Sequence, residues 1–138
     1  MARDLYHQNV RKALEKDGWT ITHAPYFIKL GGRDSVEADL GAEKMLQAER
    51  ENIKIVVEVK SFINRSIIHD FHGAYGQFAF YKKALLKFEH DRQIYLAMPL
   101  DIIYNEFDSK LYFKEFMETE MSLVIFNPIE NTISQWIN

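Results

Sequence analysis

The chain has 138 residues, 47% of them apolar, with 17 Lys and Arg against 20 Asp and Glu for a formal charge of −3. That length fits one domain over residues 1–138, and the aromatic content (10 Phe, 7 Tyr, 2 Trp) excludes a disordered or low-complexity chain. Cysteine is absent, which removes disulfide scaffolds, thiolate zinc sites, iron–sulfur clusters and cysteine nucleophiles together. No apolar run nears the ~20 residues of a membrane span. Met1-Ala2-Arg3-Asp4 opens into a polar helical pattern without an apolar leader, so the expectation is a soluble, cytoplasmic protein. Charge is uneven: residues 58–100 carry 6 basic and 4 acidic side chains, residues 101–138 carry 2 and 7. An anionic partner such as DNA would meet the middle of the chain and be repelled by its last third. A solvated charged surface accounts for the same counts.

In chain order, Asp4 is a candidate N-cap, followed by Leu5, Tyr6, Val10, Ala13 and Leu14 at helical spacing, and Gly18 ends that helix. Trp19 to Leu30 reads as one or two strands broken near Ala24-Pro25. Gly31-Gly32-Arg33-Asp34 is a turn, after which a strand from Ser35 carries Val36 to Leu40. Residues 41–52 suit either a helix or a polar edge strand; the strand is favoured, with Asn52 opening a hairpin. The β-branched run Ile53 to Lys60 predicts a central strand buried on both faces. Ser66 caps a helix from Ile67 to about Phe88. Arg92 to Met98 is a second buried strand stopped by Pro99. Leu100 to Glu118 holds one or two helical pieces, and strands at Met121 to Phe126 and Thr132 to Trp136 complete the chain. The order is α-β-β-β-α-β-α-β-β, an α/β (mixed α+β) sheet domain with one core.

Charges at Glu58 and Lys60 inside the most apolar strand require a reason, because burying an unpaired ion is costly. Alternation puts both on one face, about 7 Å apart along the strand. Asp39, beside Val36 and Leu40, is a second acid in an apolar setting. Two acids and a lysine at a sheet edge suit Mg²⁺ (or Mn²⁺), which takes one or two carboxylates plus water and phosphate oxygens. An ion pair at the end of a strand is the plainer alternative. On the following helix Gln77 and Tyr81 share a face at i, i+4, while Gly73 and Gly76 keep the helix slim for close approach. His69-x-x-His72 has a spacing usable by a transition metal, or forms a polar first turn. Phosphate-cradling glycine loops and serine elbows are absent. The aromatics Tyr104, Phe107, Tyr112, Phe113 and Phe116, flanked by acid, read as core or dimer surface rather than a base-stacking platform.

Asp39, then Glu58-Val59-Lys60, then Gln77-x-x-x-Tyr81 resembles the PD-(D/E)xK nuclease superfamily, in the version seen in its RecB-type branch. The whole chain is similar to the XisH family, the fdxN element excision controlling factors of cyanobacteria. The likeness runs through Ala2-Arg3-Asp4 with His7, Lys16-Asp17-Gly18-Trp19-Thr20-Ile21-Thr22, Asp39-Leu40-Gly41-Ala42-Glu43 and Val57-Glu58-Val59-Lys60-Ser61-Phe62. The resemblance implies a restriction-endonuclease-like core of α-β-β-β-α-β order and metal-dependent hydrolysis of a DNA phosphodiester. Asp39 and Glu58 would ligate Mg²⁺, Lys60 would position the water, and Gln77 and Tyr81 would orient the site or touch the DNA backbone. It further implies a role in programmed DNA excision during heterocyst differentiation, with a small XisI partner and a separate recombinase. Ala38 stands where the superfamily has proline. On the first helix, where the superfamily has an acid, His7 is a candidate contributor as a metal ligand or phosphate contact, or a structural histidine. The basic residues Lys60, Arg65, Lys82, Lys83, Lys87 and Arg92 form the candidate DNA-binding patch. So few phosphate contacts bind weakly at physiological salt, so affinity is expected to depend on a homodimer or a partner.

Overall fold

The computed structural model describes residues 5–46, 51–63, 66–103, 105 and 111–138. The elements are α1 (His7–Lys16), β1 (Thr20–His23), β2 (Tyr26–Gly31), β3 (Asp34–Ala38), β4 (Leu40–Leu46), β5 (Glu51–Val59), α2 (Ile67–Phe88), β6 (Arg92–Pro99), α3 (Leu100–Ile102), α4 (Leu111–Glu120), β7 (Leu123–Asn127) and β8 (Thr132–Ile137). Six strands form a mixed sheet in the order β1-β4-β5-β6-β7-β8, and β2 and β3 form a separate two-stranded sheet. The central β5, β6 and β7 run parallel, with antiparallel partners outside them. This is a mixed α+β fold built mostly of strands.

Both faces of the sheet are covered, which explains the continuous apolar run in β5. Val56, Ile94, Leu96, Leu123 and Ile125 pack with α2 residues Phe71, Ala74, Phe78 and Leu85 and with the β2–β3 hairpin. Val57, Val59, Tyr95, Ala97 and Phe126 pack with Val10 and Leu14 of α1 and with Trp19 on the other side. Gly18 ends α1 in the left-handed region at φ +96°, as its sequence position predicts. Ser66 caps α2 by accepting from the His69 N–H at 3.2 Å. Among the described residues no helix is long and apolar enough to cross a membrane.

Several expectations are corrected. The strand expected from Val36 to Leu40 is divided at Asp39: β3 pairs with β2, while β4 joins the main sheet. Residues 41–46 are strand, as favoured, but Asn52 pairs with Met45 inside β5 instead of opening a turn. Asp4 lies outside the described residues, and Tyr6 occupies the cap position of α1 without a side-chain cap bond. Leu5 is exposed rather than part of the buried stripe.

Gly73 and Gly76 do not admit a close neighbour, since a Cβ at either would meet nothing within 4 Å. Both lie on the solvent side of α2, where glycine only loosens the helix. Gly76→Ala is therefore expected to raise stability by about 0.5–1 kcal/mol, read from the urea midpoint. An unchanged or lowered midpoint would contradict the open placement.

Candidate functional site

The division at Asp39 builds the site. From Leu40 onward β4 pairs with β5, starting at Leu40↔Val57. The residue that would continue this ladder beside Val59, Ala38, is instead paired with Tyr26 in the hairpin. The Val59 N–H is consequently left without a strand partner and donates to Asp39 Oδ2 at 2.8 Å. In return the Asp39 N–H donates to Glu58 Oε1 at 3.0 Å. The bend at Asp39 thus brings two carboxyl groups together at the C-terminal end of the central strand. Gly41 permits the crossing: a Cβ there would lie 2.7 Å from the Tyr26 ring and 3.1 Å from His23 Nδ1.

Glu58 is only 7% exposed. Its carboxyl is pushed up to about 8, first by burial, then by the charge of Asp39 and by a hydrogen bond between the two carboxyl groups. Lys60, just beyond the strand, lies 3.7 Å from Glu58 Oε2 and pulls the other way without prevailing. The Lys60 side chain is 31% exposed, so its ammonium remains available to a ligand.

On α2, Gln77 Nε2 donates to Tyr81 OH at 2.8 Å, and that hydroxyl donates to the Glu37 carbonyl at 2.9 Å. The relay ties α2 to β3 next to Asp39. The Tyr81 hydroxyl is pushed up, mainly by burial, with Glu58, Asp39 and Glu37 adding to the effect and Gln77 opposing it. Glu37 is exposed, on the cavity side of the hairpin; its main-chain oxygen carries the contact, which strand alternation does not reveal.

A cavity of about 970 Å³ is lined by Asp39, Glu58, Lys60, Gln77, Tyr81 and His7 together, with Val59, Pro25, Phe27 and residues 35–38 of the hairpin completing its wall. His7 is 4% exposed, and its Nδ1 is buried without a hydrogen-bond partner among the described residues. The hairpin wall had no sequence signal beyond alternation, which sends Phe27 outward without saying what it faces.

The donor set fits a hard divalent cation. Two carboxyl groups close enough to share a proton can hold a cation in that proton's place. Among the described residues no group of three or more His, Asp or Glu side chains is placed to hold a metal, so further ligands would be water, backbone or substrate oxygens. His69 and His72 are both exposed on α2 without a third such ligand among the described residues.

The expected basic patch is smaller than the sequence implied. Arg92 turns inward: its side chain is 7% exposed, pairs with Glu43 at 3.4 Å, and lies 4.7 Å from the centre of the Tyr26 ring. Lys82, Lys83 and Lys87 are exposed on α2. Arg65 lies outside the described residues, as do Tyr104 and Phe107. The side chains of Tyr112 and Phe113 are likewise not described, while Phe116 is half-exposed and meets Tyr75 edge to face.

The family profile described as XisH protein matches residues 1–134. The crystal structure of an XisH family protein from Nostoc punctiforme PCC 73102 is 39% identical, covering 98% of this chain and 100% of that one, with a TM-score of 0.83. That of an fdxN element excision controlling factor protein from Anabaena variabilis is 40% identical, covering 99% and 100%, with a TM-score of 0.84. Among curated proteins none matches. With nearly its whole length matched by the profile and by two similar structures, the chain belongs to the XisH family.

Proposed function

We propose that this chain is a Mg²⁺-dependent DNA endonuclease on a restriction-endonuclease-like, PD-(D/E)xK-type core, acting in excision of a DNA element. The observation that carries the reading is the convergence of Asp39, Glu58, Lys60, Gln77 and Tyr81 on one cavity, with the two acids near enough to share a proton. The excision role rests on the Anabaena variabilis relative, which is called an fdxN element excision controlling factor.

In this reading Asp39 and Glu58 hold Mg²⁺ or Mn²⁺, and His7 lines the same cavity as a contact for substrate rather than a third ligand. A bound cation supplies a lowered water pKa and neutralises charge developing on the phosphate. Lys60 holds the attacking water or the phosphate oxygen with its exposed ammonium. Gln77 and Tyr81 keep α2 fixed against the hairpin, so the cavity retains its shape while substrate enters. Lys82, Lys83 and Arg65 meet flanking phosphates. So small a patch explains why an XisI-like small protein or a second copy of the chain would be needed for affinity.

A second reading has its own support: both carboxylates already serve backbone N–H groups, so a catalytically silent, partner-binding scaffold would retain them. Lys60→Ala separates the two readings. The nuclease reading expects Mg²⁺- or Mn²⁺-dependent cleavage by the parent and a loss of about 100-fold or more in the folded variant, the scale of a positioned proton-transfer group. Cleavage at the parental rate in that variant would sink it. No cleavage by the parent, alone or with its partner, would favour the scaffold.

A further inference from the structure

The cavity has two chemically different sides. Its floor carries the carboxyl pair and Lys60, whereas its hairpin wall carries Pro25 and Phe27. Phe27 follows from β2 alternation: Tyr26 and Ile28 enter the core, and Phe27 points outward. The residue is 54% exposed. Directly opposite it in the hairpin stands Glu37, so the two side chains share one face. An aromatic ring beside a carboxylate is a poor surface for a phosphate, which Glu37 repels. It suits a nucleobase, whose flat face stacks on the ring and whose exocyclic amine can donate to the acid.

Resting on the phosphodiester reading above, we propose that the cavity takes an unpaired nucleotide of a DNA strand, its base against Phe27 and its phosphate at the carboxyl floor. The substrate class is then single-stranded or branched DNA. In an intact duplex both faces of every internal base are stacked and none is free for Phe27. The charge of the chain agrees. A duplex is bound chiefly by cations aligned along its two backbones. Among the described residues the cavity offers only Lys60, and Arg92, which sequence assigned to the patch, is paired away inside the fold.

The test is equilibrium binding by the full chain, with Ca²⁺ present, to a short DNA strand carrying 2-aminopurine and to its duplex. The single strand should bind at least about tenfold more tightly, with the 2-aminopurine fluorescence quenched by stacking. Phe27→Ala should weaken that binding about 10- to 100-fold and remove the quenching, while Phe27→Trp should retain both. Equal or tighter binding of the duplex, parental binding and quenching in Phe27→Ala, or no binding of either DNA would overturn the proposal. Failure of the nuclease reading looks different: Phe27-dependent quenching would persist while divalent-dependent cleavage was absent on single-stranded, branched and duplex DNA alike.

Discussion

Glu58→Gln should leave stability near about pH 4 almost unchanged and raise it near about pH 9 by on the order of a few kcal/mol, measured by urea denaturation. Free Glu titrates near 4.5, whereas the folded chain holds the Glu58 proton up to about 8, first because of burial and next because of Asp39. Between those values the folded chain binds one proton more than the unfolded chain. The contribution of this group to stability is complete below about 4.5, declines as pH rises, and is gone above about 8. Gln imitates the protonated acid and cannot ionise, so its curve lacks this decline. Parallel curves for parent and variant would show that Glu58 is ionised throughout. The same proton competes with a cation: calorimetric Mg²⁺ or Mn²⁺ affinity of the parent should rise about tenfold per pH unit below about 8 and then level off.

Asp39 offers the second large effect, and two substitutions divide it. Asp39→Ala removes the acceptor of the Val59 N–H and leaves a main-chain donor at the end of the central strand without its partner. The expected cost is about 1–3 kcal/mol, that of an unsatisfied buried donor. Asp39→Asn keeps an amide oxygen for that bond and should cost much less. Divalent binding should be lost in both, because neither retains the second carboxylate. Thermal denaturation and calorimetry on the two variants check each half. Equal stability of the two would mean that the Val59 bond carries no weight, and retained cation binding in Asp39→Asn would remove Asp39 from the ligand set.

Much of this arrangement could be read in advance where local chemistry and tertiary environment agree. The run Ile53 to Val59 is β-branched because both faces of β5 are covered, and Ser66 caps α2 by a bond local to its own turn. Glu58, Lys60, Gln77 and Tyr81 could be placed by the periods of a strand and a helix. Asp39 could be named but not explained: alternation in Val36 to Leu40 passes through it unbroken, and the division lies in a change of partner, Ala38 pairing with Tyr26 and Leu40 with Val57. Charge alone places Arg92 in the patch, whereas Glu43 and the Tyr26 ring, on other elements, decide its direction. Gly73 and Gly76 suggest close contact in sequence alone, which does not say which face of α2 meets a neighbour. The cavity position of Phe27 meets the same obstacle, since the cavity is assembled from several elements far apart in sequence.

The paired bonds between Asp39 and the end of β5 also bear on how such a protein could lose its chemistry over generations. On the proposed nuclease reading, selection for folding alone would preserve Asp39 after catalysis was lost, because Asp39 accepts the Val59 N–H at the strand end. Lys60 is under no such obligation: among the described residues its ammonium pairs with Glu58 alone, and no main-chain group depends on it. A descendant that had become a pure scaffold would therefore drift first at Lys60. Relatives with both acids but another residue there are the ones in which to look for inherited silence.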